Sequence, residues 1–217
     1  MRTKPHCIFN LDETGLNTDR GSEPVFVNKD AKNAYLKSPT AGKKNYLVLF
    51  CVSATGIYLH PLTVYKVKNL YSSWTLGGPH GATYSCSESG WMMDINFENW
   101  FHNVFVKYTA NIEKPILLTY DGHNSHLTYT TIKTAMDNSI IILCLPLNTS
   151  HTLQPLDIGV FRPIKVAWKK ILNTWFIESR MQSVDKAVFP NLLSKLWQQL
   201  DPMHAVNAFR GAGFLPL

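Results

Sequence analysis

The stretch ILLTYDGHNSH, residues 116–126, sets an aspartate and two histidines at the end of an apolar run. Ile116 to Tyr120 has the length and composition of a buried strand, and Asp121-Gly122 is turn chemistry, so the segment reads as a strand that ends in an acid. Two other aspartates sit in similarly compact settings. Asp12 follows the apolar run from Cys7 to Leu11, and Asp157 follows Pro155, a residue suited to the first position of a helix. Strand ends and helix starts are where α/β sheets gather their site residues.

Each acid also has an ordinary explanation. Asp12 suits the turn from Asn10 to Gly15, Asp121-Gly122 suits a plain turn, and Asp157 gains about 0.3 to 1 kcal/mol from a helix dipole. Gathered at one end of a sheet, however, the three would repel. Two unit charges 4 Å apart at an effective dielectric of 20 cost about 4 kcal/mol, so such a cluster calls for protons or cations. Oxygen ligands favour Mg²⁺ or Mn²⁺ over Zn²⁺. The rival zinc reading rests on His123, His126 and His151, but the i, i+3 pair falls in a turn and lacks the helical spacing of a zinc hydrolase. His126 is expected to support the acids from behind or to order its loop.

Outward from the acids, the chain reads strand, hairpin, helix, strand, helix, strand, helix. Asn45 to Ala54 and Ile57 to Tyr65 form the hairpin around Thr55-Gly56, with Pro61 placing the second strand at an edge or bulge. Residues 68–90 read as loop. Asp94 caps a helix through Tyr108, with Trp100, Val104 and Tyr108 on one face. A helix spans Thr128 to Met136, and IIILCLP is another buried strand. From about Pro155 a long helix collects Phe161, Ile164, Trp168, Ile171, Leu172 and Trp175 on one side and Arg162, Lys165 and Lys169 in an adjoining stripe. Leu192, Leu193, Leu196, Trp197 and Leu200 mark another amphipathic helix, and a short last helix ends at Gly211 or Gly213. Trp91 and Trp168 suit core packing better than base stacking.

The 217 residues fit one domain with a small appendage, and 45% hydrophobic against 17% charged residues excludes a disordered chain. An excess of 21 Lys and Arg over 15 Asp and Glu gives +6, which favours a polyanionic partner. Four scattered cysteines without a CxxC pair point to free thiols in a reducing compartment. No apolar run reaches the roughly 18 residues of a membrane span, and MRTKPH is no secretory leader, so a soluble intracellular protein is expected. No basic import signal is visible.

The motifs resemble the DDE superfamily endonuclease domain of pogo, Tigger and jerky type transposases, relatives of mariner elements and of centromere protein B. The resemblance is carried by FNLDETGL at 9–16, SATG at 53–56, SGWM at 89–92, DGHNSH at 121–126, LPLNTSHTLQPLDIGVF at 145–161 and NAFRGAGFLPL at 207–217. Thirty-five residues lie between Asp121 and Asp157, compatible with the family's three-aspartate arrangement. The resemblance implies an α/β, ribonuclease H-like fold: a mixed five-stranded sheet, its first three strands antiparallel, flanked by helices. It implies a catalytic domain over residues 1–180 and a C-terminal helical extension over 181–217 packed on it. Gly122 departs from the Asn that often follows the second acid. Paired helix-turn-helix domains would precede the first motif in the family, whereas only eleven residues precede Asp12, so a catalytic domain without its sequence reader is expected.

The function expected is metal-dependent phosphodiester chemistry on DNA in the nucleus. Asp12, Asp121 and Asp157 would hold two Mg²⁺ or Mn²⁺ ions. Glu13 is placed beside the site as a loop-ordering neighbour and not as a ligand. Arg162, Lys165 and Lys169 would hold backbone phosphates, the alternative being a solvated helix face. DNA is the expected partner and a second copy of the chain a candidate one, and no membrane association is expected. The competing expectation is a domesticated relic that keeps the fold as a DNA, chromatin or protein interaction module with its chemistry unused.

Overall fold

The computed structural model describes residues 4–19, 44–121, 127–180 and 182–215. Its strands are β1 (Ile8–Asn17), β2 (Asn45–Ser53), β3 (Leu62–Lys66), β4 (Thr83–Ser87), β5 (Ile116–Asp121) and β6 (Ile140–Leu145). They form one sheet in the order β4-β3-β2-β1-β5-β6. β2 runs antiparallel to β1 and β3, whereas β1-β5, β5-β6 and β3-β4 are parallel. Five strands therefore point one way and β2 alone reverses.

This is the α/β, ribonuclease H-like architecture, with first three strands antiparallel, but with six strands where five were expected. The additional strand, β4, lies in the segment read as loop. Its residues, TYSCS, offer no apolar run; their side chains are mostly half-buried because β4 is an edge strand. Pro61 does not make β3 an edge. It sits just before β3, where its missing N–H is not needed, and its carbonyl accepts from Thr83 N at 2.9 Å.

β2 is buried from Tyr46 to Ser53, which a strand covered on both faces requires. The faces separate by alternation. Val48, Phe50 and Val52 face one core layer, under α5 (Phe161–Glu178), α6 (Phe189–Trp197) and α7 (Pro202–Gly211); Leu47, Leu49 and Cys51 face the other. That second layer is roofed by α1 (Asp94–Trp100), a π-helical turn (Phe101–Val106), the short α2 (Lys107–Thr109) and α3 (Tyr129–Asp137).

The π-helical turn in the roof explains one departure. Trp100 and Val104 are buried as expected, but Tyr108 is 37% exposed, since a wider turn rotates the following residues off the 3.6-residue face. Met93 precedes α1 in extended backbone and is its cap, leaving Asp94 in the first helical turn. Thr128 caps α3 and accepts from Thr131 N at 3.1 Å. Trp168 lies in the core, whereas Trp91 is 67% exposed, against expectation, because it stands on the turn after β4 beyond either core layer. Cys7 and Cys51 are buried free thiols, and Cys86 and Cys144 are half-buried.

α5 is anchored along one face. Phe161, Ile164, Trp168, Ile171, Leu172 and Phe176 are buried, and Trp168 Nε1 donates to Asn17 O at 2.7 Å, tying the helix to the end of β1. α7 closes over the start of this unit, where Gly159 is required: a Cβ there would lie 2.8 Å from Ala208 Cβ.

Candidate active site

The site begins with strand parity. Ile8 and Leu16 of β1 face the α5 layer, while Phe9 and Leu11 face the other, so Asp12 shares the α5 face and Glu13 emerges on the opposite one. On β5, Ile116, Leu118 and Tyr120 belong to the opposite layer, which puts Thr119 and Asp121 on the α5 face too. The last paired rung of the parallel β1-β5 ladder is Asn10 with Thr119. Two residues further on each strand, on the same face, stand Asp12 and Asp121.

The third acid arrives from α4 (Ser150–Leu153) and the π-helical turn Leu156–Val160 that leads into α5. Pro155 stands at the cap of that turn, and Asp157 lies in its first turn. The approach is fixed by a buried polar clamp. Asn10 Nδ2 donates to Thr119 O and to Gln154 Oε1, both at 2.9 Å, and also lies 3.1 Å from Thr119 Oγ1. Gln154 Nε2 donates to Leu11 O at 3.0 Å, Leu156 N donates to Asn10 Oδ1 at 3.1 Å, and Thr119 Oγ1 donates to Phe9 O at 3.2 Å. Asn10, Thr119 and Gln154 are all fully buried.

Each clamp residue precedes an acid: Asn10 by two, Thr119 by two and Gln154 by three. Rupturing the clamp would leave buried donors and acceptors unpaired, at about 1 to 3 kcal/mol each. Sequence reasoning missed these three positioning residues. A signal was available, because a polar residue two before a strand-borne acid must share that acid's face.

Asp12 feels the charges of Asp157 and Asp121, and Asp157 feels that of Asp121. Asp12 is pushed up to about 8, first by burial, then by the charges of Asp157 and Asp121, against a hydrogen bond from Glu13 N to its Oδ1 at 2.8 Å. Asp157, though at the surface, is also raised, by partial burial and by Asp121, with Lys165 opposing. Among the described residues, no three His, Cys, Asp or Glu side chains converge into a ready metal cluster. The donor set that does approach is carboxylate oxygen only, under mutual repulsion, which suits Mg²⁺ or Mn²⁺. Unlike β5, which ends at Asp121, β1 does not end at its acid: beyond Asp12 it has left β5 but continues against β2 to Asn17.

His123 and His126 lie outside the described residues. His151 of α4 is exposed and lines an open cleft with Asp157, Asn148, Ser150 and Ile158. Glu13, on the opposite sheet face, meets the site through its backbone N–H and its charge. Arg162, Lys165 and Lys169 are exposed along α5, with Lys165 Nζ 5.9 Å from the centroid of the Phe161 ring.

The chain is similar to known proteins along most of its length. The model of the DDE superfamily endonuclease family matches residues 43–209, which includes Asp121 and Asp157 and leaves Asp12 outside. A Cochliobolus lunatus protein named MFS-type transporter clz9 is 26% identical over 97% of this chain and 23% of its own length. The human pogo transposable element with ZNF domain is 25% identical over 87% of this chain and 13% of its own, and the human jerky protein homolog 24% over 71% and 28%. The chain thus spans less than a third of the length of these relatives. No helix among the described residues is long and apolar enough to cross a membrane.

Among solved structures, the Mos1 transposase paired-end complex with left transposon end matches over 98% of this chain and 57% of its own, with TM-score 0.54 at 12% identity. The Mos1 mariner paired end complex with Mn matches over the same shares with TM-score 0.52 at 12% identity. These likenesses carry the fold. With 167 residues under the family model, the chain belongs to the DDE superfamily of endonucleases, with pogo and jerky proteins among its relatives.

Proposed function

We propose that this chain is a transposase-derived DNA endonuclease and strand-transfer domain, with Asp12, Asp121 and Asp157 holding two Mg²⁺ or Mn²⁺ ions. The observation that carries the reading is the clamp-positioned approach of three carboxylates on one sheet face, where burial and mutual charge raise Asp12 to about 8. Such a cluster gains from cations what it loses to repulsion. Bound there, paired ions would activate water or a 3′-hydroxyl and stabilise the departing oxygen of an in-line displacement.

The protein's own residues do the rest. Asn10, Thr119 and Gln154 hold the two strands and the Asp157 turn in register. Lys165, close enough to oppose the rise of Asp157, and its neighbours Arg162 and Lys169 offer cations for the DNA backbone. The Mos1 paired-end complexes, one with a transposon end and one with Mn, support DNA and a divalent metal by analogy of fold. The nucleus is the compartment that fits such a substrate.

The test is nicking of supercoiled DNA at low salt with Mn²⁺, comparing the native chain with Asp157→Asn. Nicking that vanishes in the folded variant supports the three-aspartate centre; inert native protein sinks it. A second reading, an idle relic serving as a DNA, chromatin or protein interaction module, keeps the same fold with its chemistry unused. It predicts DNA or protein binding with no nicking and no measurable Mn²⁺ affinity.

A further inference from the structure

A second cationic feature lies away from the acids, at the opposite half of the same sheet end. A pocket of ≈ 460 Å³ opens where β3 and β4 finish and β2 begins, lined by Lys44, Lys66 and Lys186 together with Asn45, Gly90 and Trp91. The lysines come from three separate elements: the residue before β2, the last residue of β3 and the segment before α6. No acidic residue lines the pocket, and none of the three lysines forms an ion pair among the described residues. Asp185, beside Lys186, is committed elsewhere: its Oδ1 accepts from Ala187 N and Val188 N at 3.0 and 2.9 Å at the start of α6.

The pocket is built rather than incidental. Lys186 is held with its Nζ 4.9 Å from the centroid of the Trp74 ring, and Gly90 takes a positive φ of 82° against the Lys66 stem, where a Cβ would come within 2.8 Å of Lys66 Cβ. Trp91, 67% exposed, adds a ring and an N–H donor at the rim. Three lysines that line one pocket with no carboxylate in its wall offer an anion several cationic donors at once.

We propose that the Lys44–Lys66–Lys186 pocket binds the phosphodiester backbone of duplex DNA flanking the bond held at the aspartates. The spacing fits. From the rung of Asp12 with Phe50 to that of Asn17 with Asn45 the β1-β2 ladder runs five residues, about 17 Å at roughly 3.4 Å per residue. At about 3.4 Å of rise per base pair, the pocket meets the backbone about five base pairs from the acids. The choice of duplex DNA and this offset rest on the endonuclease reading; the anion-binding chemistry does not.

The test is binding of a fluorescently labelled duplex of about three helical turns, followed by anisotropy without divalent metal across a salt series. Each lysine that neutralises a phosphate adds about 0.9 to the slope of log affinity against log salt. The Lys44→Gln/Lys66→Gln/Lys186→Gln variant is expected to lose about 2 to 3 of that slope and at least tenfold in affinity at moderate salt. An unchanged slope in a variant that melts like the native chain overturns the proposal, as does native protein that binds no duplex. If the triple variant melts early, the exposed single variant Lys66→Glu decides, with a fall of about 1 expected and no change fatal. Slope loss without any Mn²⁺-dependent nicking would keep the pocket and discard the nuclease reading. Nicking abolished by Asp157→Asn with the slope intact would do the reverse.

Discussion

Asn10 and Asp12 stand two residues apart on the same face of β1, and their surroundings are opposite. Asn10 is fully buried and each polar atom of its side chain has a partner, on β5 or on the turn that leads to Asp157. Asp12 receives one hydrogen bond from its neighbour's backbone and faces two further carboxylates. One layer of the sheet end is satisfied and rigid, and the layer above it is electrostatically frustrated. Natural sequences keep such frustration where function needs it and surround it with consistent structure. The clamp contributes to stability, and the carboxylates, without a cation, detract from it.

Four experiments break or sharpen that contrast. The largest effect is expected in chemistry: Asp157→Asn should lower Mn²⁺-dependent nicking at least about a hundredfold, on the scale of removing one charge-stabilising group, while its melting temperature does not fall. A loss of fold on that substitution would place Asp157 in the rigid layer instead.

Next comes the pH dependence of stability in EDTA. Asp12 titrates near 3.8 when unfolded and about 8 when folded, so between those values the folded state binds more protons. Its contribution to stability is then fully present below the unfolded value and is lost as pH rises toward 8. Melting curves of the native chain should fall across this window relative to Asp12→Asn, by an amount on the order of a few kcal/mol. Parallel curves for the two proteins would show that Asp12 is not under that strain.

Gln154→Leu tests the other layer. It leaves Leu11 O and one Asn10 Nδ2 hydrogen without partners, which should cost about 1 to 3 kcal/mol and lower the melting temperature by roughly 2 to 4 °C per kcal/mol in a chain of this size. A variant as stable as the native chain would remove the clamp from the account. The smallest effect is expected from Arg162→Ala/Lys165→Ala/Lys169→Ala, whose salt slope for duplex binding should fall by up to about 2.7 with little change in melting temperature; an unchanged slope assigns the stripe to ordinary solvated surface.

The order of elements was legible because apolar runs of strand length and a 3.6-residue stripe survive in the sequence at β2, β5, β6, α5 and α6. β4 was not, since TYSCS is neither apolar nor alternating and becomes a strand only when β3 offers it an edge. Trp91 was misread for a related reason: size and apolarity favour burial, but its place after β4 leaves no layer to cover it. The three acids stood out by their positions after apolar segments. Their supporting residues did not, because an asparagine, a threonine and a glutamine look unremarkable until they meet.

By itself, then, the sequence determined which segments must be buried and which three carboxylates terminate or adjoin them, since burial of apolar surface and local turn chemistry act over a few residues. Only the tertiary structure decided that Asn10, Thr119 and Gln154 form one buried network, that Glu13 faces away from Asp12, and that Lys44, Lys66 and Lys186 share a pocket. Those groupings join residues up to 144 positions apart. They depend on strand order and register, which are settled when the whole sheet closes and not by any stretch of chain alone.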